Sequence, residues 1–446
     1  MYKIGFVSLG CPKNLTDTES MLGLLKDKYE IVTDPMLADI IIVNTCGFIE
    51  SAKQESVNTV LEMAQYKEKG SLKKLIVTGC LAQQYHDQLL EEIPEADAVV
   101  GTGSYQDILR AVEKSMEGEK TVVVGDIDGD IPENLPRVLA TPGYMAYLKI
   151  AEGCDNHCTY CIIPFLRGKF RSRTEENILA EAKSLAKQGV KELVLIAQDL
   201  TSYGCDLGEG KTLAKLVNSI GKIEGIHKIR LMYCYPEKVT DELIAEMAKN
   251  PKVCKYIDLP MQHASDRVLK RMGRKVNRET LVSLVKKLRY AMPDITIRTT
   301  FITGFSGETE EDFQELKAFV RDMRFDRVGV FPFSLEEGTP AEKLDGLVPE
   351  EVRKERADEI MALQQDISLE NNRKKINKTL EVICERQLRD GRYEGRTDGD
   401  APEIDGSVVF EGDNVKIGEY VNVLITDAGE YDLEGKIPYS FEEESK

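Results

Sequence analysis

The sequence predicts an α/β protein with three regions, each marked by a change in the pattern of strands and helices. In residues 1–137, short apolar strands alternate with amphipathic helices, which is typical of a parallel sheet covered by helices. Residues 140–374 repeat this alternation about six times. Six units are too few for a closed eight-unit barrel, so this region is predicted to be a partial barrel. In residues 377–442 short strands alternate with Asp/Gly turns, which predicts a small all-β barrel.

In the first region a cysteine follows each predicted strand. The predicted strands and the helices between them are Lys3–Leu9, Asp17–Lys26, Ile40–Asn44, Ser51–Lys67, Lys74–Thr78 and Gln83–Glu91. The cysteines are Cys11, Cys46 and Cys80. Because the carboxyl ends of parallel strands open on one crevice, we expect the three thiols to meet there. The alternative is that they are ordinary buried strand-end cysteines.

The predicted strands of the second region are Met145–Ala151, Glu192–Ala197, Lys228–Met232, Lys255–Leu259, Ile295–Ile302 and Arg327–Phe333. The predicted helices are Glu175–Gln188, Asp241–Lys249, Arg278–Ala291, Glu310–Met323 and a last helix at about residues 350–374. A Pro- and Gly-containing linker, Ile127–Thr141, precedes this region. The predicted strands of the third region are Leu380–Glu385, Tyr393–Thr397, Ser407–Phe410, Tyr420–Asp427 and Tyr431–Ile437.

Composition excludes several classes of protein. The chain has 446 residues, 42% of them hydrophobic and 30% charged, as in globular proteins with substantial cores. It contains no run of about 18 apolar residues, so no membrane span is predicted, and its start does not resemble a signal peptide. We therefore expect a cytoplasmic protein. Its ten cysteines are interpreted as metal ligands and reduced thiols rather than disulfides.

A second cysteine triad occupies one short loop, as Cys154, Cys158 and Cys161. Three thiolates on a loop can hold three irons of a 4Fe-4S cluster and leave the fourth iron without a protein ligand. The alternatives are a structural zinc site and chance. Zinc sites usually show paired spacings and a fourth ligand, and the sequence supplies no second pair here. The spacing therefore favours a cluster reserved for chemistry.

With both triads placed, the chain resembles the radical S-adenosylmethionine (SAM) methylthiotransferases over essentially its full length. The resemblance implies an N-terminal methylthiotransferase domain, a radical SAM partial barrel and a C-terminal TRAM domain. Three stretches are similar to the branch that modifies a ribosomal protein rather than tRNA. They are residues 8–14 (SLGCPKN), 45–52 (TCGFIESA) and 400–406 (DAPEIDG).

The resemblance also implies the cofactors and the reaction. One 4Fe-4S cluster would be bound by Cys154, Cys158 and Cys161, and an auxiliary one by Cys11, Cys46 and Cys80. SAM would contact Tyr160 and a turn at residues 302–308 that contains Gly304. Together with a one-electron reductant, these cofactors would place a methylthio group on the β-carbon of an aspartate in small-subunit ribosomal protein S-twelve. The alternatives are tRNA adenosine methylthiolation with the same chemistry, a non-catalytic iron–sulfur protein and a zinc protein.

The net charge of the chain and of its C-terminal region indicates which kind of partner the protein binds. The net charge of the chain is −18, and residues 377–446 hold 18 Asp and Glu against 8 Lys and Arg. Binding of nucleic acid depends on Lys and Arg contacts to phosphates, so this balance disfavours RNA as the substrate. A basic ribosomal protein would instead be attracted to the acidic C-terminal domain.

Two further sets of residues have weaker interpretations. The first set is expected to form a solvated basic face, or to attract an acidic group near the cluster; it comprises Arg167, Lys169, Arg171 and Arg173. The second set consists of cysteines without ligand spacing, which are interpreted as small apolar fillers. These are Cys205, Cys234, Cys254 and Cys384.

Overall fold

In the computed structural model, which describes residues 1–438, the first region is a six-stranded parallel sheet with the strand order β2-β1-β3-β4-β5-β6. Its strands are β1 (Lys3–Ser8), β2 (Glu30–Ile31), β3 (Ile40–Thr45), β4 (Lys74–Gly79), β5 (Ala98–Val100) and β6 (Thr121–Val123). Its helices are α1 (Pro12–Leu25), α2 (Glu50–Ala64), α3 (Tyr66–Lys69), α4 (Cys80–Glu92) and α5 (Ile108–Met116). The three predicted strands are confirmed. The other three have only two or three residues each, too few to produce a periodic signal.

Alternating side chains of the central strand β3 pack into two separate hydrophobic cores. Ile41 and Val43 pack in a cluster with residues of α2 and α4. Ile40 and Ile42 pack on the opposite face with residues of α1 and α5. This two-sided burial explains why the strand is a continuous run of β-branched residues.

Two helices of this region begin earlier than predicted, because cysteines start them. Helix α1 begins at Pro12, with Cys11 in an extended conformation as its N-cap residue. Proline suits this position because its fixed φ matches the helix and it has no N–H to leave unpaired. Helix α4 begins at Cys80 with no intervening loop. Gly79 makes the turn at φ +95, where an added Cβ would lie 2.4 Å from the carbonyl oxygen of Thr45.

The second region is an open barrel of six parallel strands in chain order. Its barrel strands are β7 (Met145–Lys149), β10 (Glu192–Ile196), β11 (Lys228–Leu231), β12 (Tyr256–Asp258), β13 (Thr296–Thr303) and β14 (Arg327–Pro332); a short antiparallel pair is formed by β8 (Ala151–Glu152) and β9 (Arg171–Ser172). The barrel strands form two three-stranded ladders joined by the bridge Ile229↔Val253. The predicted partial barrel is confirmed.

Eight helices alternate with the strands of this region along the chain. They are α6 (Ile163–Arg167), α7 (Glu175–Lys187), α8 (Leu213–Gly221), α9 (Asp241–Lys249), α10 (Asp266–Arg271), α11 (Arg278–Ala291), α12 (Glu310–Met323) and α13 (Glu350–Arg373). Helices α6, α8 and α10 were not predicted. Two of these three have only five or six residues, less than two turns and too short to show helical periodicity.

The segment predicted as a linker is attached to both regions that it connects. Arg137 pairs with Glu19 of α1 and, at 2.7 Å, with Glu181 of α7. The backbone N–H of Val138 donates to the carbonyl of Glu19. Burial alone would lower the pKa of Arg137, but these two carboxylates raise it. The segment therefore fastens the parallel sheet to the barrel.

The third region is a closed five-stranded barrel with the order β15-β16-β17-β19-β18. Its strands are β15 (Thr379–Gln387), β16 (Tyr393–Thr397), β17 (Val408–Glu411), β18 (Tyr420–Ala428) and β19 (Leu433–Lys436). All five predicted strands are confirmed within a few residues. The predicted end of this domain, residue 442, lies outside the described residues.

Buried ion pairs join the small barrel to the large one. Glu192 on β10 accepts hydrogen bonds from Arg230 and from Arg396 of the small barrel, at 2.9 and 2.7 Å. Burial alone would raise the pKa of Glu192, but the two guanidinium groups lower it to about 2. Four acidic residues of the small barrel also pair with cations of the large one, namely Glu381, Asp398, Asp400 and Asp405. Some acidic side chains of the small barrel therefore attach it to the large barrel.

Candidate functional site

The loop that carries Cys154, Cys158 and Cys161 is closed at its base by the β8–β9 pair. Ala151 and Glu152 pair with Ser172 and Arg171, and the N–H of Cys154 donates to the carbonyl of Gly168 at 3.1 Å. The loop itself turns tightly, because the N–H of Cys161 donates to the carbonyl of Cys158 at 3.0 Å.

The surroundings of this loop triad are mostly neutral hydrogen-bonding groups. The Tyr235 hydroxyl lies 3.1 Å from Cys158 Sγ, and the Asn156 amide donates to Cys154 Sγ at 3.4 Å. The Arg274 guanidinium stacks 3.8 Å from the centre of the Tyr235 ring and pairs with Glu237. Burial raises the pKa of the Cys154 thiol to about 11. Binding of metal ions would favour the thiolate form of such cysteines.

The structure brings the three strand-end cysteines together. Gly10 touches the Cys46 side chain so closely that an added Cβ would lie 3.0 Å from its Sγ. Gly47 lies equally close to the backbone at Cys80. Burial is the main cause that raises the pKa of the Cys80 thiol, and Cys11 and Cys46 raise this pKa further. The geometric expectation of the sequence, that strand ends β1, β3 and β4 converge, is met.

Asn14 ties these strand ends to one another. Its Nδ2 donates to the carbonyl of Leu9 at 3.1 Å and to that of Thr45 at 2.9 Å. Its Oδ1 accepts from Arg167, whose guanidinium also lies 3.6 Å from Cys80 Sγ. Burial raises the pKa of the Cys80 thiol to about 11, against the opposing effect of Arg167. Asn14 and Arg167 therefore hold the second triad in place.

Arg167 belongs to a buried network of charges between the sheet and the barrel. It donates to Asp17 at 2.6 Å, and Lys149 pairs with both Asp17 and Glu152. Burial alone would raise the pKa of Glu152, but Lys149 and Arg167 keep it well below its usual range. Placing Arg167 on a solvated face was wrong, because only 3% of it is exposed. Arg173 is likewise buried and pairs with Glu181.

The two triads face the same interface between the sheet and the barrel. Cys80 packs in one apolar cluster with Ile162 and Leu166, which follow the loop triad directly. On the other side, Lys13 places its ammonium 2.8 Å from the centre of the Tyr233 ring. Tyr233 is two residues before Tyr235, the residue that contacts Cys158. One short segment after β11 therefore touches the surroundings of both triads.

A third contact between the sheet and the barrel lies at Glu336. Its carboxylate accepts from Lys53 Nζ at 2.9 Å and from the N–H of Glu50 at 3.1 Å. Both partners belong to α2, which begins four residues after Cys46. The interface is thus fixed on several sides of the triads.

The two residues predicted to contact SAM lie in one neighbourhood. Tyr160 packs edge-on against Phe305, with ring centres 6.3 Å apart, and Phe305 directly follows Gly304. Gly304 has φ +69, and its N–H donates to Glu308 at 2.7 Å. The structure thus brings the two together beside the loop triad, and their contact with SAM stays a prediction.

Three of the four remaining cysteines are buried, as expected of apolar fillers: Cys234, Cys254 and Cys384. Cys205 is exposed, so that interpretation was wrong for it. In residues 1–438 no three His, Cys, Asp or Glu side chains come together in an arrangement suited to a single metal ion. No helix in that part of the chain is both long enough and apolar enough to span a bilayer.

Sequence reasoning missed four residues of the site: Lys13, Asn14, Tyr233 and Tyr235. Lys13 and Asn14 directly follow Cys11 and Pro12, so their position in the first turn of α1 was a usable signal once that helix start was known. The two tyrosines follow β11, and the carboxyl end of a barrel strand is where such barrels place functional side chains. Their contacts with Lys13 and Cys158 depend on tertiary packing alone.

Comparison with known proteins assigns each region. The description Uncharacterized protein family UPF0004 matches residues 3–101, Radical SAM superfamily matches 148–320, and TRAM domain matches 376–437. The chain is similar to a solved structure of TsrM, a radical S-adenosylmethionine methyltransferase from Kitasatospora setae. The TM-score is 0.59 at 14% identity, with 76% of this chain and 77% of that chain covered, so the likeness concerns the fold.

Two curated relatives are similar over nearly the whole chain. Ribosomal protein uS12 methylthiotransferase RimO of Clostridioides difficile (strain 630) is 53% identical over 441 residues, covering 98% of this chain and 99% of the relative. The protein with the same name from Desulfitobacterium hafniense (strain Y51) is 51% identical over 437 residues, with 98% of each covered. The chain belongs to the RimO family of ribosomal protein uS12 methylthiotransferases.

Proposed function

We propose that this protein transfers a methylthio group to the β-carbon of an aspartate in ribosomal protein uS12, using radical SAM chemistry. The proposal is supported by the contacts that neighbours of both thiol triads make between the sheet and the barrel, in a chain of this family. The match to the radical SAM superfamily supports SAM and one iron–sulfur cluster as cofactors. That match does not extend to a second cluster, so the auxiliary cluster is part of what we propose.

The donor sets fit iron–sulfur clusters. Each triad offers three thiols, so each cluster would keep one iron without a cysteine ligand. Cys154, Cys158 and Cys161 would hold the cluster that binds SAM, while Cys11, Cys46 and Cys80 would hold the auxiliary one. When bound, the two clusters and SAM would supply a carbon radical and a place to hold sulfur, chemistry that side chains cannot perform.

The chain's own residues position these groups. Asn14 and Arg167 fix the strand-end triad, Asn156 donates to the loop triad, and the Tyr235 hydroxyl lies within hydrogen-bond distance of Cys158. Tyr160 and the turn at Gly304 would border SAM. The domains that bring these parts together are proposed to be residues 1–137, 140–374 and 377–442.

The C-terminal barrel is proposed to dock the substrate. Ribosomal proteins are basic, and several acidic side chains on this barrel stay exposed, including Glu403, Glu411 and Asp413. Opposite charges would speed encounter and favour this partner over nucleic acid. The reaction would also require a one-electron reductant. A ribosomal substrate would place the protein in the cytoplasm.

The test offers both substrates to the reconstituted protein. Anaerobic, reduced enzyme with SAM is incubated with uS12 and with tRNA, and each is analysed by mass spectrometry. We expect one methylthio group on an aspartate of uS12 and none on tRNA. Methylthiolated tRNA alone would contradict the substrate, and no 5′-deoxyadenosine from SAM would favour a non-catalytic iron–sulfur protein. Zinc in place of iron and sulfide would exclude both clusters.

A further inference from the structure

Lys13 is an exception among the buried cations of the described chain. Four lysines and seven arginines of residues 1–438 are buried. Ten of these eleven make an ion pair; they are Lys53, Lys149, Lys228, Arg167, Arg173, Arg230, Arg274, Arg327, Arg356 and Arg396. Lys13 is 6% exposed, and its ammonium lies against the face of Tyr233. Buried charges are normally paired. Lys13 departs from this rule, because no carboxylate of residues 1–438 forms an ion pair with its ammonium.

The nearby carboxylates of the chain are committed elsewhere. Asp258 accepts from Arg298 at 2.8 Å and from the N–H of Tyr233 at 3.0 Å. Glu152 is paired with Lys149 and accepts from Gln198. Neither group makes an ion pair with Lys13 in residues 1–438. The ammonium of Lys13 can therefore still accept a carboxylate from another molecule.

The position of Lys13 indicates which molecule that is. It lies two residues after Cys11, in the first turn of α1, and stacks on Tyr233. Tyr235, two residues further along, contacts Cys158. The ammonium therefore lies beside a segment that also contacts the loop triad.

We propose that Lys13 Nζ receives the side-chain carboxylate of the target aspartate and so positions its β-carbon between the two triads. This inference rests on the proposed function and adds a specificity-determining residue to it. A neutral asparagine would leave the buried ammonium without a counter-charge, as would an adenosine base. Tyr233 holds the lysine side chain in place by its ring face.

The test compares two uS12 peptides that differ only in the target residue, aspartate or asparagine. Their affinities for the reconstituted enzyme with SAM are measured under anaerobic conditions. Wild type should prefer the aspartate peptide by at least about tenfold, because truncating one partner of a buried charge pair mainly weakens binding. Lys13→Met should abolish that preference, and Lys13→Arg should restore part of it.

Lys53→Met serves as the matched control. Lys53 is a buried lysine of the same interface, but it already pairs with Glu336. Its loss should lower stability and leave the aspartate preference unchanged. Iron content and 5′-deoxyadenosine release without peptide are measured in wild type and Lys13→Met, and the affinities are compared at equal iron content, so that loss of a cluster is not mistaken for loss of the preference.

The outcomes separate the inference from the proposed function. If wild type methylthiolates uS12 and Lys13→Met keeps the full aspartate preference, the role of Lys13 is overturned and the function stands. If wild type modifies no uS12 at all, the function and the inference fall together. If Lys53→Met also lost the aspartate preference, the role of Lys13 would be overturned, because a general disturbance of the interface would then explain both variants.

Discussion

The two cysteine triads differ in how the chain assembles them. The loop triad occupies eight consecutive residues, from Cys154 to Cys161, and its shape depends on local hydrogen bonds. The strand-end triad joins residues about 35 apart, through three neighbouring parallel strands. A change in the N-terminal sheet should therefore destroy the second triad while leaving the first intact. The two can be tested separately.

Their surroundings differ as well. Around the loop triad, the Asn156 amide donates to Cys154 and the Tyr235 hydroxyl lies 3.1 Å from Cys158. The cation beside this triad, Arg274, stacks on Tyr235 and is paired with Glu237. The strand-end triad lies beside two buried cations, Arg167 and Lys13. Cations favour the anionic species that bind nearby, including thiolates, sulfide and a substrate carboxylate. This contrast suits a division of work in which the first triad generates the radical and the second handles sulfur and substrate.

The largest expected effect separates the two triads chemically. Cys158→Ala should abolish 5′-deoxyadenosine release, because the loop triad would hold the cluster that binds SAM. Cys80→Ala should still release 5′-deoxyadenosine but form no methylthiolated uS12. Each change should lower the iron content from about eight to about four per chain.

The control for these two variants is Cys205→Ala, which removes an exposed cysteine. It should keep both activities and all the iron. Equal loss of 5′-deoxyadenosine in Cys158→Ala and Cys80→Ala would contradict the division of work.

The second test concerns the cation beside the strand-end triad. Arg167→Met leaves Asp17 buried with one cation instead of two and removes the contact to Cys80. Breaking a buried pair by removing one partner typically costs about 3–5 kcal/mol. We expect a loss of that size in chemical unfolding of the metal-free protein. Arg386→Met, at an exposed pair in the small barrel, should leave the unfolding midpoint unchanged. Equal midpoints for both variants would disprove the structural role of Arg167.

The third test leaves both triads untouched and acts on the junction of the two barrels. Glu192→Gln would leave Arg230 and Arg396 without their shared counter-charge and should cost about 3–5 kcal/mol near pH 7. The folded pKa of Glu192, about 2, lies below its ordinary value of 4.5. Its contribution is therefore complete above pH 4.5 and is lost as the pH falls toward 2.

Unfolding of metal-free wild type and Glu192→Gln, measured from pH 7 down to pH 2, checks this dependence. The difference in stability between the two should shrink across the window from about pH 4.5 to 2. Glu434→Gln, at an exposed position, should follow wild type throughout. If the difference in stability between wild type and Glu192→Gln stayed constant with pH, Glu192 would not stabilise the protein through its charge.

Much of this site was predictable, for reasons that differ between its parts. The loop triad follows from spacing alone, because its ligands are neighbours in sequence. The strand-end triad follows from a rule of topology, since the thiols occupy equivalent positions in three strand–helix repeats. Arg167 was misjudged because its partners Asp17 and Cys80 lie 150 and 87 residues away. Nothing local distinguishes such an arginine from one on a solvated face.

The smallest expected effect tests the surroundings of the loop triad. Tyr235→Phe removes the hydroxyl that lies 3.1 Å from Cys158 Sγ. Hydrogen bonds to ligand sulfurs help to set cluster potentials. A hydrogen bond worth about 1 kcal/mol favours the more negative, reduced cluster, so its loss should lower the potential of the loop cluster by at most about 40 mV, the one-electron equivalent. In redox titrations followed by electron paramagnetic resonance, the auxiliary cluster should keep its potential, because Arg167 and not Tyr235 contacts its ligand. A shift of both potentials would mean that the two surroundings are electrically coupled, and the contrast between the triads would then be one of geometry only.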